Sequence, residues 1–225
     1  LVTLNTDYTV SYKKGETAVE SMIDAGDYTI IITAKEGSAY GGTMEVDFTI
    51  DQANLGDVTI AEIVDQTYTG SQITPTDITV TFNGNAVAED EYSISYGTNT
   101  NVGEGTVTLT SENKNFSTTS TKGATFTIVA KTLTADMVIS VASVTYTGSA
   151  VEPELTIRDG DLDLEKGTDY TVIYSDNVSA GTNTAKATIT GKGNYTGSAD
   201  KMFTLNKAQL TVTPDDKTYN VGDNI

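Results

Sequence analysis

The chain has 225 residues, 31 Asp and Glu against 13 Lys and Arg for a formal charge of -18, and no Cys, His or Trp. An acidic exterior of this kind repels phosphate backbones and anionic lipid surfaces, so no nucleic-acid partner is expected. The lack of Cys and His removes the commonest nucleophiles, general bases and transition-metal ligands together. No apolar run reaches the roughly 18 residues of a membrane helix, so no membrane insertion is expected of this segment.

Leu1 is not an initiator Met, and the chain reads as a piece of something longer. Near its start, Asp7-Tyr8-Thr9-Val10-Ser11-Tyr12, Tyr28-Thr29-Ile30-Ile31-Ile32 and Phe48-Thr49-Ile50 read as strands, two of them with side chains alternating at period two. The stretch Thr17 to Ile23 fits either an extra strand or a helical turn. Further strands are expected near Val58–Glu62, Gln66–Tyr68, Asp77–Phe82, Glu91–Tyr96, Gly105–Thr110 and Ala124–Val129. A third series falls near Met137–Ser140, Ser143–Tyr146, Glu154–Arg158, Asp169–Ser175, Thr184–Thr190 and Lys201–Asn206. Thr, Val, Ile and Tyr dominate these runs, as suits a pleated, half-buried surface. Nothing carries a sustained helical period.

The second and third series are copies of one pattern. Tyr68-Thr69-Gly70-Ser71 matches Tyr146-Thr147-Gly148-Ser149, and Pro75, Tyr92, Tyr96 and Gly103 match Pro153, Tyr170, Tyr174 and Gly181, all at an offset of 78 residues. The N-terminal strands carry only the second half of the pattern, and Leu210-Thr211-Val212-Thr213 with Asp216-Lys217-Thr218-Tyr219 begins it again. The expected layout is a partial unit over 1–51, whole units over 52–130 and 131–207, and the first strands of another over 208–225. Short strands at regular spacing with turns between them point to an all-β chain of tandem immunoglobulin-like antiparallel sandwiches. The joints Gln52-Ala53-Asn54, Ala130-Lys131-Thr132 and Asn206-Lys207-Ala208 are too short and too poor in Gly and Pro to act as tethers.

The run from Asp169 to Gly197, with Asp169-Tyr170-Thr171-Val172 at its start and Gly191-Lys192-Gly193-Asn194-Tyr195-Thr196-Gly197 at its end, resembles tandem Ig-like repeats of large bacterial surface proteins. The stretch Leu210 to Tyr219 resembles the opening strand of the MBG-type repeat of that class. The second unit departs from the pattern at Gly103-Glu104-Gly105 and at Glu112-Asn113-Lys114-Asn115-Phe116. The resemblance implies a stalk or adhesive module at the bacterial cell surface, extracellular, with no catalytic residues. Its partners would be neighbouring repeats of the same chain and a host or microbial surface protein or glycan. An alternative is a glycan-binding or accessory module of a secreted polysaccharide-processing enzyme.

Several local motifs suggest chemistry, each with a plainer competitor. Asp159-Gly160-Asp161-Leu162-Asp163-Leu164-Glu165 alternates carboxylates that suit calcium, although Leu164 stands where an EF-hand needs Gly; the competitor is a solvated loop. Glu89-Asp90-Glu91 reads as the matching loop of the second unit. Gly191-Lys192-Gly193 lacks the following helix that a phosphate loop requires and reads as a turn. Carboxylate pairs for glycoside hydrolysis would need a cleft that small sandwiches rarely offer. The tyrosines could stack on sugars or fill cores and corners. Sequons at Asn115, Asn177 and Asn194 read as accidental. The partial unit and the unfinished one together raise strand donation between molecules. No catalytic, cofactor-binding or metal-ligating residue is assigned, and no cofactor is expected.

Overall fold

The computed structural model describes residues 2–213, 216–218 and 220–222. Among these the chain is all-β, built of antiparallel sheets linked by turns, with three single turns of 3-10 helix and no α-helix. Its contacts divide it into two units, residues 1–129 and 130–225.

The first unit opens with β1 (Tyr8–Lys14), β2 (Thr17–Val19), β3 (Gly26–Ala34) and β4 (Thr43–Ile50), in the sheet order β2-β1-β3-β4. Lys14 pairs with Thr17 across Gly15 and Glu16, so the Thr17 stretch is a hairpin strand; Gly15 takes φ 55°, which suits a tight turn. Register puts Tyr8, Val10, Tyr12, Tyr28, Ile30, Ile32, Met44, Val46 and Phe48 on one face, and Thr9, Ser11, Asp27, Thr33, Glu45, Asp47 and Thr49 on the other. Of the first group only Tyr28 is buried.

The rest of this unit holds β5 (Thr59–Ile60), β6 (Gln66–Thr67), β7 (Val80–Phe82), β8 (Asn85–Ala86), β9 (Tyr92–Tyr96), β10 (Gly103–Ser111) and β11 (Thr121–Val129). They form a four-stranded sheet, β6-β11-β10-β9, with β6 parallel to β11, and a three-stranded sheet, β5-β7-β8. The strand expected from Asp77 begins only at Val80, because Ile78 N donates to Thr76 O in a local turn. Leu55, Val58, Val80, Val107, Leu109 and Ile128 are each at most 3% exposed and form the core.

The second unit repeats that order with β12 (Lys131–Thr132), β13 (Val138–Val141), β14 (Val144–Thr145), β15 (Leu155–Asp159), β16 (Leu162–Asp163), β17 (Tyr170–Ser175), β18 (Gly181–Gly191), β19 (Tyr195–Thr196) and β20 (Ser198–Asn206). The sheets are β14-β20-β18-β17, β13-β15-β16 and the short parallel pair β12-β19. Register slips between Gly181 and Ala185, so β18 starts three residues before the expected strand and carries a bulge. Leu133, Val138, Ile157, Ile189, Phe203 and Leu205 fill its core. The described residues of 207–222 form no strand; Leu210 and Val212 are exposed, and Tyr219 of the expected opening strand lies outside the described residues.

Candidate functional site

The tyrosines that mark the pattern act as anchors. Tyr96 Oη donates to Pro75 O at 2.6 Å, and Tyr174 Oη donates to Pro153 O at the same offset of 78 residues. Each phenol ties an edge strand of the four-stranded sheet to the loop before the middle strand of the three-stranded one, β7 or β15. Asn99 and Asn177 repeat the device: their side-chain amides donate to Ile73 O and Val151 O, and their own carbonyls accept from Ile73 N and Val151 N. Asn99 is 5% exposed and also exchanges two bonds with the Thr106 backbone, so its loop has little freedom. Burial lifts the phenol pKa of Tyr92, Tyr170 and Tyr174 above the usual 10.0, with the charges of Glu89 on Tyr92, Glu154 on Tyr170 and Glu152 on Tyr174 adding to it. Among the described residues only Tyr40, in the first unit, and Tyr146, in the second, rank as exposed tyrosines.

The acidic run from Asp159 to Glu165 is a hairpin whose side chains diverge. Asp159 pairs with Leu162 across Gly160 and Asp161, with Gly160 at φ 60°. Asp159 accepts from Lys131 Nζ at 2.6 Å and from Tyr195 Oη at 3.2 Å, while Asp163 pairs with Arg158 and Leu164 is buried. Asp159 is a structural tie between β15, β12 and β19. No group of three metal-ligating side chains converges anywhere among the described residues. The matching hairpin of the first unit turns through Asn83 and Gly84, both at positive φ, and not through Glu89 to Glu91 as expected. Glu89–Glu91 instead forms the 3-10 turn leading into β9. There Lys114 bonds Asp90 and holds its carboxyl below the usual carboxylate range.

The Gly-Lys-Gly stretch is a closed turn. Lys192 N donates to Asp169 O at 2.8 Å, Lys192 Nζ donates to Gly167 O, and Gly191 N donates to Gly197 O at 2.9 Å. A Cβ on Gly191 would stand 2.7 Å from Thr196 N, so the glycine is required by close backbone approach. With β19 following directly, the stretch offers no row of free N–H groups to an anion.

One cleft combines polar and apolar groups. It has a volume of about 570 Å³ and lies within the first unit, where the N-terminal sheet meets the β7–β8 hairpin. Ile23, Ile50, Phe82 and Phe116 give it apolar walls, and Asp24, Asp51 and Glu91 make it acidic. Asn115 organises this place. Its backbone N and its Nδ2 donate to Glu91 at 2.9 and 2.8 Å, Nδ2 also donates to Asp24 Oδ1 at 3.1 Å, and Oδ1 accepts Ala25 N at 2.7 Å. Gln52 Nε2 adds bonds to Asn113 and Lys114. Both Glu91 oxygens thereby accept hydrogen bonds, in a residue only 9% exposed. The bridge from Asn115 to Asp24 and Ala25 spans about 90 residues of chain and leaves no local signal. The amide nitrogens of Asn115 and Asn177 are both committed to these internal bonds. No protein-family model matches the chain, and no curated protein matches it either.

Proposed function

We propose that the chain is a non-catalytic structural segment, a stalk or spacer built of tandem immunoglobulin-like units, from a large bacterial surface or secreted protein. The observation that carries this reading is the recurrence of one bonding scheme at an offset of 77 to 78 residues. Tyr96 to Pro75, Asn99 to Ile73 and Tyr68 N to Val129 O in the first unit reappear as Tyr174 to Pro153, Asn177 to Val151 and Tyr146 N to Asn206 O in the second. Such reuse makes length by repetition.

Two further observations support a mechanical role. The joint residues are themselves strand-paired: Ala53 bridges Phe116, and Lys131 pairs with Tyr195. Within the first unit, Asn115 and Gln52 tie the N-terminal sheet to the strands that follow, so residues 51–54 cannot swivel as a free linker. Any adhesive contact would then be made by exposed loops presented at fixed spacing.

The reading is tested by small-angle scattering on chains with one, two and three added copies of residues 131–207. A stiff spacer lengthens by a constant of about 35–40 Å per copy, judged from strand lengths plus turns. Growth with the square root of copy number would contradict it. Specific, saturable binding on a glycan array would favour the accessory-module reading instead.

A further inference from the structure

Sheet edges invite pairing with another chain unless shortness, charge or a bulge blunts them. Most edges among the described residues are blunted. β5, β6, β8, β12, β14, β16 and β19 have two residues each, and β2 has three. β4 carries Glu45 and Asp47. β13 is bent by a bulge after Val138, whose carbonyl accepts from Lys201 Nζ. β9 and β17 remain, and neither contains a charged residue. They differ at one matched position. Where β9 has Ser95, β17 has Ile173, which is 73% exposed, the highest value of any large apolar side chain described within a strand.

The backbone of β17 faces two ways. Lys192 N donates to Asp169 O, whereas Tyr170 O accepts from Gly167 N. Direction alternates along an antiparallel strand, so Thr171, Ile173 and Ser175 bond β18, while Val172 and Tyr174 turn their N–H and C=O groups outward. Neither residue has a backbone partner on that side among the described residues.

We propose that β17 is a self-pairing edge, through which two copies of this chain join antiparallel about a two-fold axis at Ile173. Val172 of each copy then stands opposite Tyr174 of the other and exchanges both main-chain hydrogen bonds with it. Ile173 meets Ile173 of the second copy as a non-hydrogen-bonded pair, the kind in which side chains come closest, and Thr171 faces Ser175. A second copy is the occupant that fits, because the strand is self-complementary in this register. It also places no carboxylate opposite another within the paired strands, on a chain of formal charge -18. The contact uses one surface twice, so it closes as a dimer. Asp176 falls opposite Tyr170 of the other copy, next to its Asp169, so repulsion at the strand ends opposes pairing and added salt should tighten it severalfold.

Sedimentation equilibrium on the 225-residue chain tests the proposal. The weight-average mass is expected to rise between about 10 µM and about 1 mM and to level off at twice the monomer. Ile173→Lys should weaken association at least about tenfold, and Ile173→Ser severalfold. The site is exposed and β9 already carries serine at the matching place, so both variants should fold. The chain has no native cysteine, which permits a second readout. A non-hydrogen-bonded pair stands about 4.5 Å apart at Cα, within reach of a disulfide, so Ile173→Cys should oxidise to a covalent dimer much faster than Ser95→Cys. A constant monomer mass over the whole range, growth beyond the dimer, association untouched by Ile173→Lys, or equal oxidation of the two cysteine variants would each overturn the proposal.

Discussion

Phe48, Phe126 and Phe203 hold one position in three sheets that share three neighbouring strands in one order, yet they meet different surroundings. Phe126 and Phe203 are 5% and 4% exposed, and the residues paired with them are small, Gly105 and Ala185. A Cβ on Gly105 would stand 2.4 Å from the Phe126 ring, so the far end of the ring occupies the space over the glycine. Phe48 is paired with Tyr28 instead, and the two rings stack 5.6 Å apart while Lys14 sits over the tyrosine at 5.5 Å. The N-terminal sheet thus covers part of its own apolar face with its own side chains. Sheet pairing alone does not bury an apolar face; burial needs a second layer packed on it.

The largest expected effect separates those two situations. Leu109→Ala and Ile189→Ala, both at 0% exposure, should each cost about 2–5 kcal/mol in the denaturant midpoint of their own unit. Ile32→Ala, at the matching position of the uncovered sheet, should cost about 1 kcal/mol or less. Equal losses at all three sites would break the comparison.

The asparagine and tyrosine anchors come next. Asn99→Ala removes bonds to Ile73 and Thr106 from a buried loop and should cost about 2–3 kcal/mol by thermal melting. Tyr96→Phe and Tyr174→Phe each remove one bond to a proline carbonyl and should cost about 1 kcal/mol. Tyr12→Phe, whose Oη has no hydrogen-bond partner among the described residues, should stay within about 0.5 kcal/mol.

Both units should also share an alkaline weakness. Tyr92, Tyr170 and Tyr174 have phenol pKa values raised by burial, so folding favours the protonated form. Their contribution is fully present below the unfolded value near 10.0 and is lost as pH rises through the higher folded values. Melting temperatures followed from pH 8 to 11.5 should fall above pH 10, and less steeply in Tyr174→Phe. The smallest effect expected is that of Arg158→Ala, which breaks an exposed ion pair with Asp163 and should change stability by about 0.5 kcal/mol or less, further reduced by salt.

Much of this architecture was legible in the sequence because period-two alternation and glycine-rich turns are local signals. Tyr170, Val172 and Tyr174, and Ala185, Ala187 and Ile189, fixed β17 and β18 to within three residues at their ends. The bulge between Gly181 and Ala185 was missed, since two extra residues in a polar Thr-Asn-Thr run leave no break in the pattern. The two hairpins were mismatched for a related reason. Acidic composition suggested Glu89 to Glu91 as the partner of Asp159 to Glu165, whereas the turn geometry pairs Gly160-Asp161 with Asn83-Gly84. Composition records solvation, and positive φ records the turn. The cleft at Asn115 was invisible because every contact that builds it joins residues at least 24 positions apart.

Amide hydrogen exchange on the intact chain at low micromolar concentration tests the contrast between covered and uncovered sheets most directly. Amides of β10, β11, β18 and β20 should exchange only through unfolding of their units, while those of β4 should exchange orders of magnitude faster through local opening. Protection of β4 equal to that of β11 under those dilute conditions would contradict the account.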